Sequence, residues 1–345
     1  MRYSELPLGA QTAYAELLEQ TQALELRHHL GQLKGSFHRK KLKGRDYWYF
    51  AWRDLDGRVR FAYVGPDGER VQRLIGRFAA EKSASLEPRA RAAIALGCAP
   101  LAGRHYRIVR RLGDYGFFRA GGLLAGTHAF VALGNLLGVR WGGADRTLDV
   151  DFAHAGRNVS LALPASIRMD LHEALLSLEL GLLPIAQFGG GTGAQYRNPR
   201  DPELRLDFLT SGHRGGGRPV QVPDLNIALQ PLKFMEFSLE EPTQGAVFAP
   251  DGATVVNLPA PARYAVHKLI VHGERPVRER AKAVKDLHQA ACLAEYFLAE
   301  RPREFNAAWR DALGRGPGWR KRAREGKAAL LKLAPELDKA ALWRE

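Results

Sequence analysis

"TLDVDFA", residues 147–153, decides how the chain is read. Its hydrophobic and β-branched residues suit a strand, and side chains alternate along a strand, so Asp149 and Asp151 point the same way. Two carboxylates so close repel unless a cation lies between them. That cation is either a metal ion or a neighbouring side chain, Arg140 or Arg146 being the nearest candidates in sequence.

Upstream, "LAGTHAF" places Gly126 and Thr127 between an apolar strand and an amphipathic helix. Glycine permits a tight turn and a close approach by a ligand. Thr127 can cap the helix or offer its hydroxyl to a phosphate, and the free N–H groups of a first helical turn favour an anion. Downstream, "LRLDFLT" sets Asp207 between Leu206 and Phe208 on another strand, where an unpaired charge is costly. Asp201 and Asp224 compete with Asp207 for the same role. Three carboxylates converging on an anion-binding helix start would make a magnesium–triphosphate site, with up to two ions held by hard oxygen ligands.

The rest of the chain frames this core. Residues 9–33 and 70–97 have helical spacing, and 34–69 predicts a β-hairpin that turns at "DLDG" and is approached by a basic arm. "GCAPLAG" marks a boundary near residue 100. From there to 258, helices and strands alternate: a helix over 166–180, strands in "GLLPIAQFG" and "ELRLDFLTS", a Gly-rich loop at "GGTGAQYRNPRD", and more sheet in "VQVPDLNIALQPLKFMEFSL". "GGGTG" (189–193) lacks the Gly-Lys-Ser/Thr of a phosphate-binding loop and is taken as a plain loop. After 258 the apolar stripes are helical, ending in a basic tail. The expected organisation is therefore α+β: an N-terminal helix and hairpin region (1–100), a core with a mixed twisted sheet flanked by helices (101–258), and a C-terminal helical domain (259–345).

Composition narrows the setting. The apolar run 123–139 is short and broken by His128 and Asn135, so no membrane span is expected. No secretory leader is evident in the first twenty residues. Two cysteines, Cys98 and Cys292, exclude a cysteine-rich zinc site and suit a cytoplasmic compartment. A net charge of +14 favours polyanionic partners, nucleoside triphosphates and nucleic acid among them.

A glycine followed by Thr127, a helix, and then "LDVDF" resembles the signature of the nucleotidyltransferase fold, the superfamily of polymerase β, aminoglycoside adenylyltransferases and nucleotidyltransferase toxins. More narrowly, "FFRAGGLLAGTHAF" with "TLDVDFA" resembles a poorly characterised bacterial branch of it, over about residues 105–290. The resemblance implies that Gly126 and Thr127 hold the triphosphate, that Asp149, Asp151 and Asp207 ligate magnesium, and that Asp207 activates the attacking hydroxyl. It further implies that Lys268 in "VHKL" and Lys285 in "VKDL" meet phosphate, with Asp286 fixing helix packing. Arg140 and Arg146, in or beside the loop "RWGGADR", are candidate phosphate contacts, and His128 is a candidate to face the nucleotide. The histidines 267, 272 and 288 are expected to pack or to be solvated.

Two questions stay open at this level. Arg39, Lys40, Lys41, Lys43 and Arg45 precede Tyr47, Trp48, Tyr49 and Trp52, a pattern that either binds nucleic acid by stacking or fills a small core. The activity implied is transfer of a nucleoside monophosphate from a triphosphate to a hydroxyl of RNA, protein or a small molecule. The alternative is a weak or inactive nucleotidyltransferase-fold protein that binds nucleic acid.

Overall fold

The computed structural model describes residues 1–31, 35–42, 44–53, 59–80, 85–155, 170–186, 192–212, 217–275 and 279–344. Its centre is the long strand Asp201–Ser211. One edge of that strand pairs in parallel with Asp149–Ala153. Its other edge is shared, antiparallel Thr192–Asn198 along the first part and parallel Ile227–Leu232 at the end. Leu123–Leu124, Leu183–Ala186 and Val220–Val222 complete a seven-stranded mixed sheet. Alternation sorts the two central strands by face. Val150, Phe152, Leu206 and Phe208 are buried, with the Phe152 and Phe208 rings stacked 5.2 Å apart. Asp149, Asp151, Arg205 and Asp207 occupy the other face at adjacent registers. The α+β class and the mixed sheet follow the sequence expectation.

Helices flank this sheet. Gly126–Leu136 follows the short Leu123–Leu124 strand, and Gly103–Asp114 presents Tyr106, Ile108, Val109 and Leu112 to the same core. At the C-terminal end Pro261–His272, Pro302–Gly314 and Pro317–Leu333 each begin at proline, whose fixed φ and missing N–H suit the first helical turn. Between the first two of these runs Arg280–Glu300. The helix Leu8–Gly31 lays Ala10, Tyr14 and Leu17 against Phe248 and Ala246 of the hairpin Thr243–Ala249 and Gly252–Leu258.

Several local expectations are corrected. The basic arm of the hairpin is itself a strand, so Gly35–Leu42, Arg45–Arg53 and Val59–Pro66 make a three-stranded antiparallel sheet; the "DLDG" turn and Lys43 lie outside the described residues. The helix expected over 70–97 is two, Glu69–Ala80 and Glu87–Ala95. The 166–180 helix is described only as Leu171–Leu176, capped by the Asp170 carboxylate accepting from the Glu173 N–H. Residues 192–198, expected in a glycine loop, form a strand because Tyr196 buries on the core side against Phe208. The pairing of Tyr3–Glu5 with Val139–Trp141 had no signature in the sequence. Among the described residues no helix is long and apolar enough to cross a membrane.

Candidate active site

A cavity of about 590 Å³ opens between the polar face of the central strands and the C-terminal helices. Its lining includes Gly126, Thr127, Asp149, Asp151, Asp207, Lys268, Lys285 and Asp286, all singled out from the sequence.

Parallel pairing sets Asp207 directly beside Asp151, and Arg205 directly beside Asp149. Gly126 opens the adjoining helix at φ +58°, and a Cβ there would come within 1.9 Å of Asp151 Oδ2. Only glycine serves, both for its backbone and for the room it leaves the carboxylate. The Ala125 N–H donates to the Asp151 carbonyl at 2.8 Å, which locks the glycine turn to the strand. The Gly126 carbonyl is 2.9 Å from the Tyr264 hydroxyl, which ties the turn to the C-terminal helices as well. Thr127 is buried, and its hydroxyl accepts a long hydrogen bond of 3.4 Å from the Gln289 amide.

The carboxylates are electrostatically frustrated. Burial, then the charges of Asp207 and Asp149, push the Asp151 pKa up to about 6. Burial also raises Asp207, with Asp149 adding to it against the opposing charge of Arg205. Asp207 Oδ1 is buried and has no hydrogen-bond partner among the described residues. Lys268 and Lys282 oppose the shift at Asp151, and Arg205 and Lys282 oppose it at Asp207; Arg205 and Lys282 were not singled out from the sequence. Arg205 Nη2 donates to Asp149 Oδ2 at 2.7 Å, and its Nε lies 3.0 Å from Asp207 Oδ2. Lys282 Nζ donates to the same Asp149 oxygen at 3.1 Å. Strand alternation from Asp207 already puts Arg205 on the site face; its partner on the next strand is visible only once the parallel register is known.

Helix positions supply the opposite wall. Lys268 Nζ donates to Asp286 Oδ1 at 2.7 Å, and Arg275 Nε to Asp286 Oδ2 at 2.9 Å. Burial alone would lower Lys268, yet Asp286 and Tyr264 outweigh it and hold the ammonium charged. Lys285 is shifted down by burial and by Lys268, and its Nζ donates to the Arg146 carbonyl at 2.5 Å.

Three sequence candidates, His128, Arg140 and Arg146, are not in the cavity lining, and the Arg140 side chain is exposed. His128 turns inward, its Nε2 3.0 Å from His105 Nδ1, and burial drives its pKa down to about 3. It sits one helical step past Thr127, so it faces the core rather than the cavity. The Arg146 side chain is exposed, and its carbonyl accepts from the cavity residue Lys285. Of the competitors to Asp207, Asp201 is paired with Arg104 and Asp224 belongs to the turn Pro223–Leu225.

The oxygen donors match magnesium in kind, and the orphaned Asp207 oxygen is a group that a cation would satisfy. Among the described residues no three acidic, imidazole or thiol groups stand as a ready ligand set. Arg205 and Lys282 both hold Asp149 Oδ2.

A mixed sheet carrying an Asp-x-Asp strand beside a helix-opening glycine, with a third aspartate in register, is the arrangement expected of a nucleotidyltransferase. The chain belongs to that family: a family model described as nucleotidyltransferase matches residues 104–314. No curated protein matches the chain. The crystal structure of an antigenic nucleotidyltransferase-like protein from Paracoccidioides brasiliensis is similar at 19% identity, covering 66% of this chain and 95% of that one, with a TM-score of 0.30. That likeness is too distant to bear on the site.

Proposed function

We propose that the protein is a magnesium-dependent nucleotidyltransferase that moves a nucleoside monophosphate from a nucleoside triphosphate to a hydroxyl acceptor, releasing pyrophosphate. The observation that carries this reading is the Asp151–Asp207 pair, side by side in a cavity walled by lysines, Asp151 half-buried and Asp207 buried, both with raised pKa values and with one Asp207 oxygen unpartnered among the described residues. Asp149, Asp151 and Asp207 would hold magnesium, which when bound offsets triphosphate charge and stabilises the leaving group. The N–H groups at the start of helix Gly126–Leu136 and the Thr127 hydroxyl receive phosphate oxygens. Lys282 and Lys285 bring further positive charge to the cavity. Asp207, the carboxylate in register beside Asp151, accepts the proton of the attacking hydroxyl. The compartment we assign is the cytoplasm.

A second reading is a nucleic-acid-binding protein on a transferase scaffold. The bridging of Asp149 and Asp207 by Arg205 favours it, since an internal guanidinium there serves as a substitute cation. Incubating the protein with each labelled triphosphate, magnesium, and total cellular RNA and protein separates the two. Label on one class of macromolecule, absent with D149A/D151A, supports transfer and names nucleotide and acceptor. Absence of label together with absence of magnesium–triphosphate binding overturns it.

A further inference from the structure

The three-stranded N-terminal sheet has two faces of different chemistry. Register places Lys40 opposite Tyr47, Tyr49 opposite Tyr63 and Ala51 opposite Phe61, so these side chains share one face. On it the Tyr63 ring lies 6.1 Å from Tyr47 and 5.6 Å from Tyr49, and Lys40 Nζ sits 3.7 Å from the centre of the Phe61 ring. Phe61 and Tyr63 are 47% and 59% exposed. Rings serving only as a small core would not be left so open.

The opposite face holds the acids. Arg39 is within 3.8 Å of Asp46 and 3.3 Å of Asp67, and the Trp48 indole N–H donates to Asp67 at 2.8 Å. Arg39 and Trp48 are thereby engaged, and alternation separates them from Lys40, Tyr47 and Tyr49. The aromatic face carries Lys40 and Arg45, and no acidic residue among its described side chains.

We propose that this face, built on Lys40, Tyr47, Tyr49, Phe61 and Tyr63, binds single-stranded nucleic acid, with bases stacked on the rings and backbone phosphates drawn to Lys40 and Arg45. Charge selects the occupant: an aromatic surface with cations and no described acid complements a polyanion that can expose flat bases. A duplex keeps its base faces stacked and is a poor fit. The proposal goes beyond the transferase reading and does not depend on it.

The test is fluorescence anisotropy of a labelled uridine-rich single-stranded RNA against the full chain, without triphosphate, beside a duplex of the same length. Saturable, salt-dependent binding that favours the single strand is expected. F61A/Y63A should weaken it about thirtyfold or more, the lower bound for losing two base–aromatic stacks. K40Q, which keeps every ring, should weaken it less and flatten the salt dependence. K321Q/R324Q, on helix Pro317–Leu333, should leave it nearly unchanged, and D151N should bind as the wild type does whatever becomes of the transferase chemistry. Circular dichroism confirms that each variant is folded. Equal binding by F61A/Y63A and wild type, or equal loss in K321Q/R324Q, overturns the proposal. So does an absence of RNA binding, including the case where F61A/Y63A abolishes self-association in sedimentation, which would make the face a contact between copies.

Discussion

The same cavity contains two carboxylate centres in opposite states. Asp286, on the helical wall, receives Lys268 at 2.7 Å and Arg275 at 2.9 Å; burial opposes its ionisation, but the two cations prevail and hold its pKa below the usual value. Asp151 and Asp207, on the strand floor, are pushed up by burial and by neighbouring carboxylates, Asp207 and Asp149 acting on Asp151 and Asp149 on Asp207, and one Asp207 oxygen has no partner among the described residues. A satisfied buried carboxylate is a structural part. A frustrated one persists when something outside the chain relieves it, and stability forgone at such a place is a mark of function.

The contrast predicts opposite signs for two isosteric changes. D286N leaves Lys268 buried with too little compensating charge and should cost about 3–5 kcal/mol in urea denaturation. D151N removes a desolvated charge, so it should stabilise the ligand-free protein while abolishing nucleotide transfer. The pH window follows from the shift: Asp151 keeps its proton in the folded state up to about 6 and loses it near 3.8 when unfolded. Between those values the unfolded chain binds fewer protons, so this group makes wild-type stability fall as pH rises. The D151N advantage should be absent below pH 4 and reach about 3 kcal/mol above pH 6, roughly two pKa units' worth. An advantage that does not vary with pH would break the comparison.

Smaller effects sharpen it. G126A forces a Cβ toward Asp151 at positive φ and should cost about 1–3 kcal/mol, with weaker magnesium–nucleotide binding seen by calorimetry. R205Q withdraws the internal cation from Asp149 and Asp207; ligand-free stability should drop by about 1–2 kcal/mol, between the exposed and buried limits for ion pairs. Manganese affinity, followed by electron paramagnetic resonance, should rise in the same variant, whereas a purely structural arginine would leave it unchanged.

Much of the site was legible because its residues obey local rules. Alternation put Asp149 and Asp151 on one face, and the apolar flanks of Asp207 marked it as costly without a partner. Gly126 was legible as a turn, although its second reason, the room it leaves for Asp151, needed the fold. What stayed hidden depends on register and on distant packing. Arg205 was passed over because its partner comes from a strand more than fifty residues away. Lys282 reaches Asp149 from another helix. His128 was misdirected for the converse reason: adjacency to Thr127 in sequence suggested a shared role, while one helical step turns it to His105. In the N-terminal sheet the aromatic-basic run was visible as composition, but its division into an acid-bearing face and one with no acid among its described side chains required the pairing of three strands.

The most direct test of the central claim is calorimetric titration of magnesium–ATP into wild type and D151N, both shown to be folded. Saturable binding to the wild type and none to D151N, despite the greater stability of that variant, is the predicted result. Equal binding to both would contradict the account, because the strained carboxylate would then have no ligand to explain it.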